Sequence, residues 1–426
     1  MSRAAMTTVS AASMTASTVC GERSLAILPT AGDIPVLNFN ERVFAMTNQG
    51  VRRWRWVHRW SSVVCTAFLL ILSLTGLPLI FEDDIAAMLD PAIGASVSHA
   101  VTLAHVDTAV AAAHRRYPAE AIRFVGLEAE TGRILIQLSH AADDPFKQMH
   151  QMAFSAANAT LLRDGDPPGD AVMDTILELH MALLAGLPGE LFLCVIGLIF
   201  LVAVISGLIL YTPFSRRLRF GEIRRNRSAR LRWLDVHNLI GMTTGAWVAI
   251  VGVTGVMNTL ATPLFGLWRL HDIAPVLRPY VHDAPIVPKA PVSLAIAQAE
   301  TALPGMQASF VTFPSHLDGS PDHFVVWTQG SSKLRSRLMS PVLVDAHDGH
   351  VVFVPQIPWY LRLLDICRPL HFGDYGGVTL KWLWAALDLL TIAVLGSGIY
   401  LLFARPSRSE FARHTVFSIE VGEKSQ

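Results

Sequence analysis

Charge is scarce in this chain: Asp, Glu, Lys and Arg make up 16% of its 426 residues, and acids and bases balance at a formal net charge of zero. So few charges exclude an ordinary soluble protein of this length. Cysteine is scarcer still. Cys20, Cys65, Cys194 and Cys367 are scattered, which excludes a disulfide framework and a CxxC-type metal site. No G-x-G-x-x-G follows a strand-like stretch, and the loops assigned below to the cytoplasm are too short for a nicotinamide or flavin domain. Electrons, if the protein handles them, come from elsewhere. Residues 1 to about 45 are rich in Ser, Thr, Ala and Met and lack the apolar core of a cleavable signal peptide. No apolar segment precedes Cys20, so a lipid anchor is not expected there. Residues 1–50 are read as a disordered cytoplasmic leader, or as untranslated sequence if the start is Met46.

What the chain does have is apolar length. Hydrophobic residues account for 52%, and the mean hydropathy is +0.41. Four charge-poor runs, Ser61 to Phe81, Leu191 to Phe214, Asn238 to Leu267 and Trp382 to Phe403, are long enough to cross about 30 Å of hydrocarbon as helices. The expectation is an α-helical membrane protein with four spans. Arg52, Arg53, Arg55 and Arg59 precede the first run, Arg405 and Arg408 follow the fourth, and "SRRLRFGEIRRNRSARLR" joins the second to the third with eight arginines. Short basic segments mark the cytoplasmic side, so both termini and the middle loop are placed inside. Trp54, Trp56, Trp60 and Trp233 suit an aromatic belt there. The position of the basic loop between spans makes topology its cause, so the expected partner is membrane lipid and not nucleic acid.

Long segments separate spans one and two, and again three and four. Each opens with a helical pattern, "VTLAHVDTAVAAAHRRYP" or "PVSLAIAQAETALPG", and continues into strand-like stretches such as "GRILIQLS", "DHFVVWTQ" and "PVLVDAHDGHVVFV". Two extracytoplasmic α+β modules follow. The expected boundaries are 51–82 for the first span, 83–170 for the first module and 171–214 for an outer segment plus the second span. The basic loop occupies 215–235, the third span 236–267, the second module 268–358, an outer segment plus the fourth span 359–404, and a cytoplasmic tail 405–426.

The halves also match in detail. His58 precedes Thr75-Gly76 by 17 and 18 positions, and His237 precedes Thr254-Gly255 by the same offsets. His180 precedes Ser206-Gly207 by 26 and 27, as His371 does Ser397-Gly398. Two spans per copy imply a parallel repeat, related by a pseudo-twofold axis along the membrane normal. That axis sets His58 opposite His237 at the cytoplasmic edge and His180 opposite His371 at the outer edge. One histidine at a membrane edge is commonly interfacial or a satisfied core group. Four, paired by an axis, could supply two axial imidazoles to each of two haem irons. Gly76 and Gly255 return to the azimuth of His58 and His237 about 27 Å farther along, where small residues would leave room or simply let helices pack closely. Pro188 and "HFGDYGG" are expected to separate His180 and His371 from the spans that follow them.

The segments "HRW…LTG", "LH…SGLILY", "DVHNLIG…VTG" and "LHFGDYGG…GSGIYLLF" fall in an order that resembles the PepSY-associated transmembrane family of bacterial inner-membrane proteins, over roughly residues 50 to 405. The resemblance implies PepSY-like modules outside a four-helix bundle. It also implies kinship with ferric-siderophore reductases, in which two b-type haems pass electrons outward. "VLVDAHDGHVV" looks like that module's closing strand and turn, whereas "FSAANATLLRDG" lacks its Asp.

The leading expectation is thus a dihaem b conduit: His58, His237, His180 and His371 hold the haem irons, and no catalytic residue is assigned. A cytoplasmic donor or quinol would feed it, and a periplasmic ferric chelate or siderophore would accept the electrons. The competing expectation is a non-enzymatic PepSY binding protein that regulates a protease or sensor and carries structural histidines. A transporter would need a substrate pathway that the sequence does not show. Asp388 inside the fourth span could serve protons or sit near the outer interface. His347 and His350 could bind a metal or simply belong to a polar turn. Arg362, Arg368 and Lys381 could pair with propionates or act as interface anchors.

Overall fold

The computed structural model describes residues 47–90, 102–129, 131–144, 149–215, 220–280, 283–317, 320–330, 338–373 and 377–404. The expectations for the leader through residue 46, Cys20, Arg216, Arg217, Arg219, Arg405, Arg408 and the tail lie outside them, while residues 48–50, expected in the leader, already belong to the first helix.

Four helices have the length and hydropathy to cross a membrane: α1 (Asn48–Ile80), α5 (Leu187–Ser215, apolar through Tyr211), α6 (Ala229–Thr259) and α11 (Gly377–Phe403). Between α1 and α5 the chain forms α2 (Glu82–Leu89), α3 (Leu103–Arg116), β1 (Ala121–Glu128), β2 (Arg133–Ser139), β3 (His150–Ser155), β4 (Leu161–Asp164) and α4 (Asp170–Ala182). Between α6 and α11 come α7 (Ala261–Trp268), a π turn, α8 (Ala274–Leu277), α9 (Val292–Ala302), β5 (Met306–Thr312), β6 (His323–Gly330), β7 (Met339–Asp345), β8 (Val351–Phe353) and α10 (Trp359–Phe372).

Helix starts follow local chemistry. The Thr47 hydroxyl accepts from Gly50 N at the head of α1, and Ser228 accepts from Leu231 N at the head of α6. The third span ends eight residues short of the expected Leu267: Leu260 caps α6, and Pro263, which has no N–H to give, sits in the first turn of α7. The spanning helices pack in the cyclic order α1, α5, α6, α11, so α1 lies diagonal to α6 and α5 to α11. Their outward faces leave Val195, Leu198, Ile205, Val253 and Leu389 about half exposed, a surface that suits lipid and would be costly in water.

The sequence analysis expects two α+β modules, and their strands meet in a single sheet. All eight strands form one antiparallel sheet in the order β4-β3-β2-β1-β5-β6-β7-β8. The join is β1 to β5, with Phe124 opposite Thr312, Val125 opposite Val311 and Gly126 opposite Phe310. Unpaired edges invite association, and this pairing hides two long ones, leaving β4 and β8, four and three residues long, as the outer edges. Helices α3 and α9 cover one face with a shared core that includes Val106, Ile134, Ile136, Val311, Phe324 and Ile296. On the other face, Val325 and Leu343 pack under Trp268, Ile273, Leu277, Leu361 and Leu364. Helices α7, α8 and α10 therefore tie the sheet to one end of the bundle, and the basic loop marks the other.

Loops add a polar clasp across the join. Asp143 accepts from His316 Nδ1 at 2.8 Å and from His316 N at 2.8 Å, while His316 Nε2 lies 3.0 Å from the Asp283 carbonyl. The Asp143 carboxylate raises the His316 pKa above 6.5. A raised histidine pKa contributes stability in full below its unfolded value of about 6.5, and that contribution disappears as pH climbs through the folded value. Both side chains are more than a third exposed, so the contribution is under about 1 kcal/mol. The difference in thermal midpoint between the parent and His316→Ala should therefore be small at about pH 6 and vanish by about pH 9.

Candidate functional site

The four histidines occupy two levels of the bundle. His58 lies in α1 and His237 in the diagonal helix α6, toward the basic-loop end, close enough for a charge on one to act on the other. His180 and His371 lie outside the spans, in α4 and α10, at the sheet end, with ring centres 6.3 Å apart and planes at 63°. The break after His180 comes earlier than Pro188: Leu183 and Leu184 take left-handed φ values of 51° and 60°, and Pro188 then starts α5. Gly189 explains how the corner closes. A Cβ there would stand 1.7 Å from the Ala182 carbonyl oxygen, so only glycine lets the first turn of α5 lie on the end of α4.

Each histidine is held by a Ser/Thr-Gly pair of another helix. His58 Nδ1 stands 2.9 Å from the Ala203 carbonyl and 3.2 Å from Ser206 Oγ on α5. His237 Nδ1 stands 3.2 Å from the Val394 carbonyl and 2.8 Å from Ser397 Oγ on α11. At the sheet end, His371 Nδ1 meets the Val251 carbonyl at 3.1 Å and Thr254 Oγ1 at 3.2 Å on α6. His180 Nδ1 meets Thr75 Oγ1 at 3.0 Å on α1, and the Leu72 backbone also bonds to its ring.

A carbonyl can only accept, so Nδ1 must carry the proton. The hydroxyls agree, because each donates its own proton to a carbonyl one turn back, as Ser206 does to Ala203 and Thr254 to Ile250. In the neutral ring the lone pair is then on Nε2. No hydrogen bond reaches any of the four Nε2 atoms among the described residues. Burial pushes the His180 pKa down to about 4, and burial together with the neighbouring His180 does the same for His371, so both rings are neutral at physiological pH.

The glycines set the approach. A Cβ would stand 3.2 Å from His180 Cε1 at Gly76, 3.1 Å from His58 at Gly207, 3.1 Å from His371 at Gly255 and 3.5 Å from His237 at Gly398. From the sequence, Gly76 and Gly255 are read as room on the inward stripe or as close helix packing. That reading misses that each pair is the seat of a histidine on a different helix, which the equal offsets in both halves signalled without naming the partner.

A haem fits this donor set. A metal-bound imidazole nitrogen sits about 2 Å from the metal and about 1.1 Å from its own ring centre, so two imidazoles across one iron have centres about 6 Å apart. The His180 and His371 rings match that spacing. Their Nδ1 atoms are engaged on two different helices, α1 and α6.

Other expected groups are engaged elsewhere. Arg362 donates to the Met339 carbonyl and Ser340 Oγ on the sheet, and Lys381 pairs with Asp84 at 2.8 Å and Asp83 at 3.6 Å. Asp345, Asp348 and His350 cluster at an exposed turn, where the carboxylates accept from the N–H groups of His347, Asp348 and His350. That bonding accounts for the cluster as a turn. Asp388 is buried, near the buried Ser73 of α1. Beside His237, Arg224 grips the 3% exposed Asp235 side chain with its N–H, Nε and a terminal nitrogen at 3.0, 3.0 and 2.6 Å. Arg224→Ala should cost about 3 kcal/mol by stranding that carboxylate, whereas Arg224→Met with Asp235→Leu should recover most of the loss, as read from thermal midpoints in detergent.

Four spanning helices and a large antiparallel sheet, with histidines between the helices, define a multi-pass membrane protein. A family model for the PepSY-associated TM region matches residues 55–405, and the chain belongs to that family. It is also similar to the uncharacterized protein PA4219 of Pseudomonas aeruginosa, 25% identical over 267 residues, or 57% of this chain. The chain spans 66%, just under two thirds, of that curated relative's length.

Proposed function

We propose that the protein is a transmembrane electron conduit with two b-type haems, one between His58 and His237 and one between His180 and His371, that reduces an acceptor on the sheet side. The observation that carries the reading is the paired set of histidines held through Nδ1 with Nε2 left for a ligand. His150 and His323 also leave Nε2 unpartnered, so it is the pairing of rings at one level, and not the open nitrogen alone, that favours a ligand. Such haems, when bound, supply one-electron carriers whose potentials the axial imidazoles and burial tune. The residues do the rest: the Ser/Thr-Gly pairs fix each ring's tautomer and direction, and the apolar outer faces of the helices keep the assembly in lipid. Thr75, which holds His180, lies 17 residues beyond His58 on the same helix, so the two levels are about 26 Å apart along it.

The arginine-rich loop supports a cytoplasmic placement for that end, the sheet then lying in the periplasm of a bacterial inner membrane. In this reading the two halves form a parallel repeat, each with a PepSY-like module that contributes four strands to the shared sheet. The electron source is a cytoplasmic donor or quinol. The acceptor favoured by family membership is a ferric chelate such as a ferric siderophore, whose hard oxygen ligands hold iron less tightly once it is reduced.

The test is to mix the chemically reduced protein anaerobically with a ferric chelate and follow haem absorption. Rapid reoxidation, with ferrous iron trapped by a colorimetric chelator in equal amount, is expected. A spectrum that stays reduced on addition of ferric chelates rejects this acceptor class.

A further inference from the structure

Asp388 stands out because nothing described so far uses it. It is 8% exposed within the spanning helix α11, and its Oδ2 has no hydrogen-bond partner among the described residues. Ser73 of α1, near it, is itself buried, two residues before the Thr75 that seats His180. On its own helix, Asp388 precedes Ser397, the seat of His237, by nine residues, about 13 Å. The carboxyl therefore lies between the two histidine levels.

Among the described residues no cation is paired with it. The neighbouring stretches of α1 beyond Arg59 and of α6 beyond His237 contain no charged residue, and α5 has only Glu190 in its first turn. Lys381, two turns away on α11, is committed to Asp84 and Asp83. His180 and His371 present the remaining titratable rings, and Arg362, Asp365 and Arg368 of α10 lie farther toward the sheet. A bare carboxylate in such surroundings is costly, and a neutral acid is not. A unit charge added within about 10 Å, at an effective dielectric of about 20, changes the proton affinity of such a group on the order of tenfold.

Resting on the dihaem reading, we propose that Asp388 is the proton-accepting group of the bundle, taking up one proton when the centre held by His180 and His371 gains one electron. The step balances. One electron reduces ferric to ferrous iron, one proton from water on the sheet side forms an O–H bond on the Asp388 carboxylate, and the pair adds no net charge to the membrane interior. Reoxidation by the acceptor returns the proton. Asp388 is a positioning residue for charge and not a ligand.

The test is a redox titration of the full chain in lipid nanodiscs across about pH 5.5 to 8.5. In the parent, one of the two haem potentials is expected to fall with rising pH, the reduction equilibrium weakening by up to tenfold per pH unit, while the other holds steady. In Asp388→Asn, with haem content unchanged, both should be flat. A slope that persists in Asp388→Asn overturns the proposal. Redox-difference infrared spectra of the parent give an independent reading should that variant fail to assemble. A protonated-carboxyl C=O band should appear on reduction and shift in Ser73→Ala, and its absence overturns the proposal. A coloured parent with two pH-independent potentials defeats the proposal alone, whereas a colourless one defeats the dihaem reading with it.

Discussion

Replacing His371 by alanine should halve the haem content of the purified protein, from about two per chain to about one, and leave the remaining spectrum that of a bis-imidazole centre. The size of the effect follows from the geometry. His371 and His180 are the rings that share the sheet-end level, 6.3 Å apart, and α10 offers no second imidazole. His58→Ala should remove the other haem and spare the sheet-end one, because its seat on α5 shares no residue with that of His371. Ferric-chelate reduction driven from the basic-loop side should stop in both variants, since neither level can bypass the other. Each variant should keep its stability in the haem-free form to within about 1 kcal/mol, as read from thermal unfolding, because alanine removes a half-buried ring along with its hydrogen bond and does not strand a charge. Equal loss of both haems in either variant would mean that the levels are not independent sites.

Gly255→Leu should reproduce the loss seen in His371→Ala without touching a histidine. A Cβ at position 255 would stand 3.1 Å from His371 Cε1, and leucine adds three more carbons in the same direction, so the ring must leave its seat. Gly255→Ala should be intermediate: the neighbour must give by a few tenths of an ångström, and the expected readout is retained haem with a shifted potential and altered ligand-field bands. Gly241→Ala, in the same helix but with open space around its Cβ, should bind the full complement. That contrast separates a packing requirement at the histidine from a general intolerance of side chains in α6. Haem absorbance per chain, measured beside circular dichroism, reads all three variants, and full haem binding by Gly255→Leu would show that the seat at Thr254-Gly255 does not control His371.

Much of this was legible in the sequence, for identifiable reasons. Spanning helices announce themselves because lipid tolerates few charges over about 20 residues, and each of the four expected runs contains a spanning helix, the third only as far as Thr259. The strands around Ile134, Val326 and Val342 were visible from their β-branched runs. The pairing of β1 with β5 was not, because strands some 180 residues apart carry no local signal of their partner. Two four-stranded sheets and one eight-stranded sheet share the same hydrophobic pattern.

The histidine seats show the same limit. Equal offsets in the two halves marked Thr75-Gly76, Ser206-Gly207, Thr254-Gly255 and Ser397-Gly398 as a set. That Thr75 holds His180, and not a ring of its own helix, depends on how α4 packs against α1 before a left-handed turn at Leu183 and Leu184, and leucine has no special preference for that conformation. Arg362 and Lys381 looked available in the sequence because their acceptors, the Met339 carbonyl and Asp84, come from segments distant along the chain.

The central claim is that the seated histidines hold haem. Its most direct test is a reduced-minus-oxidised absorption spectrum of the purified full chain, expressed with ample haem, together with a pyridine haemochrome assay of haem per chain. The account predicts b-type bands and about two haems per chain. A colourless protein would contradict it and leave the four histidines as structural links between helices.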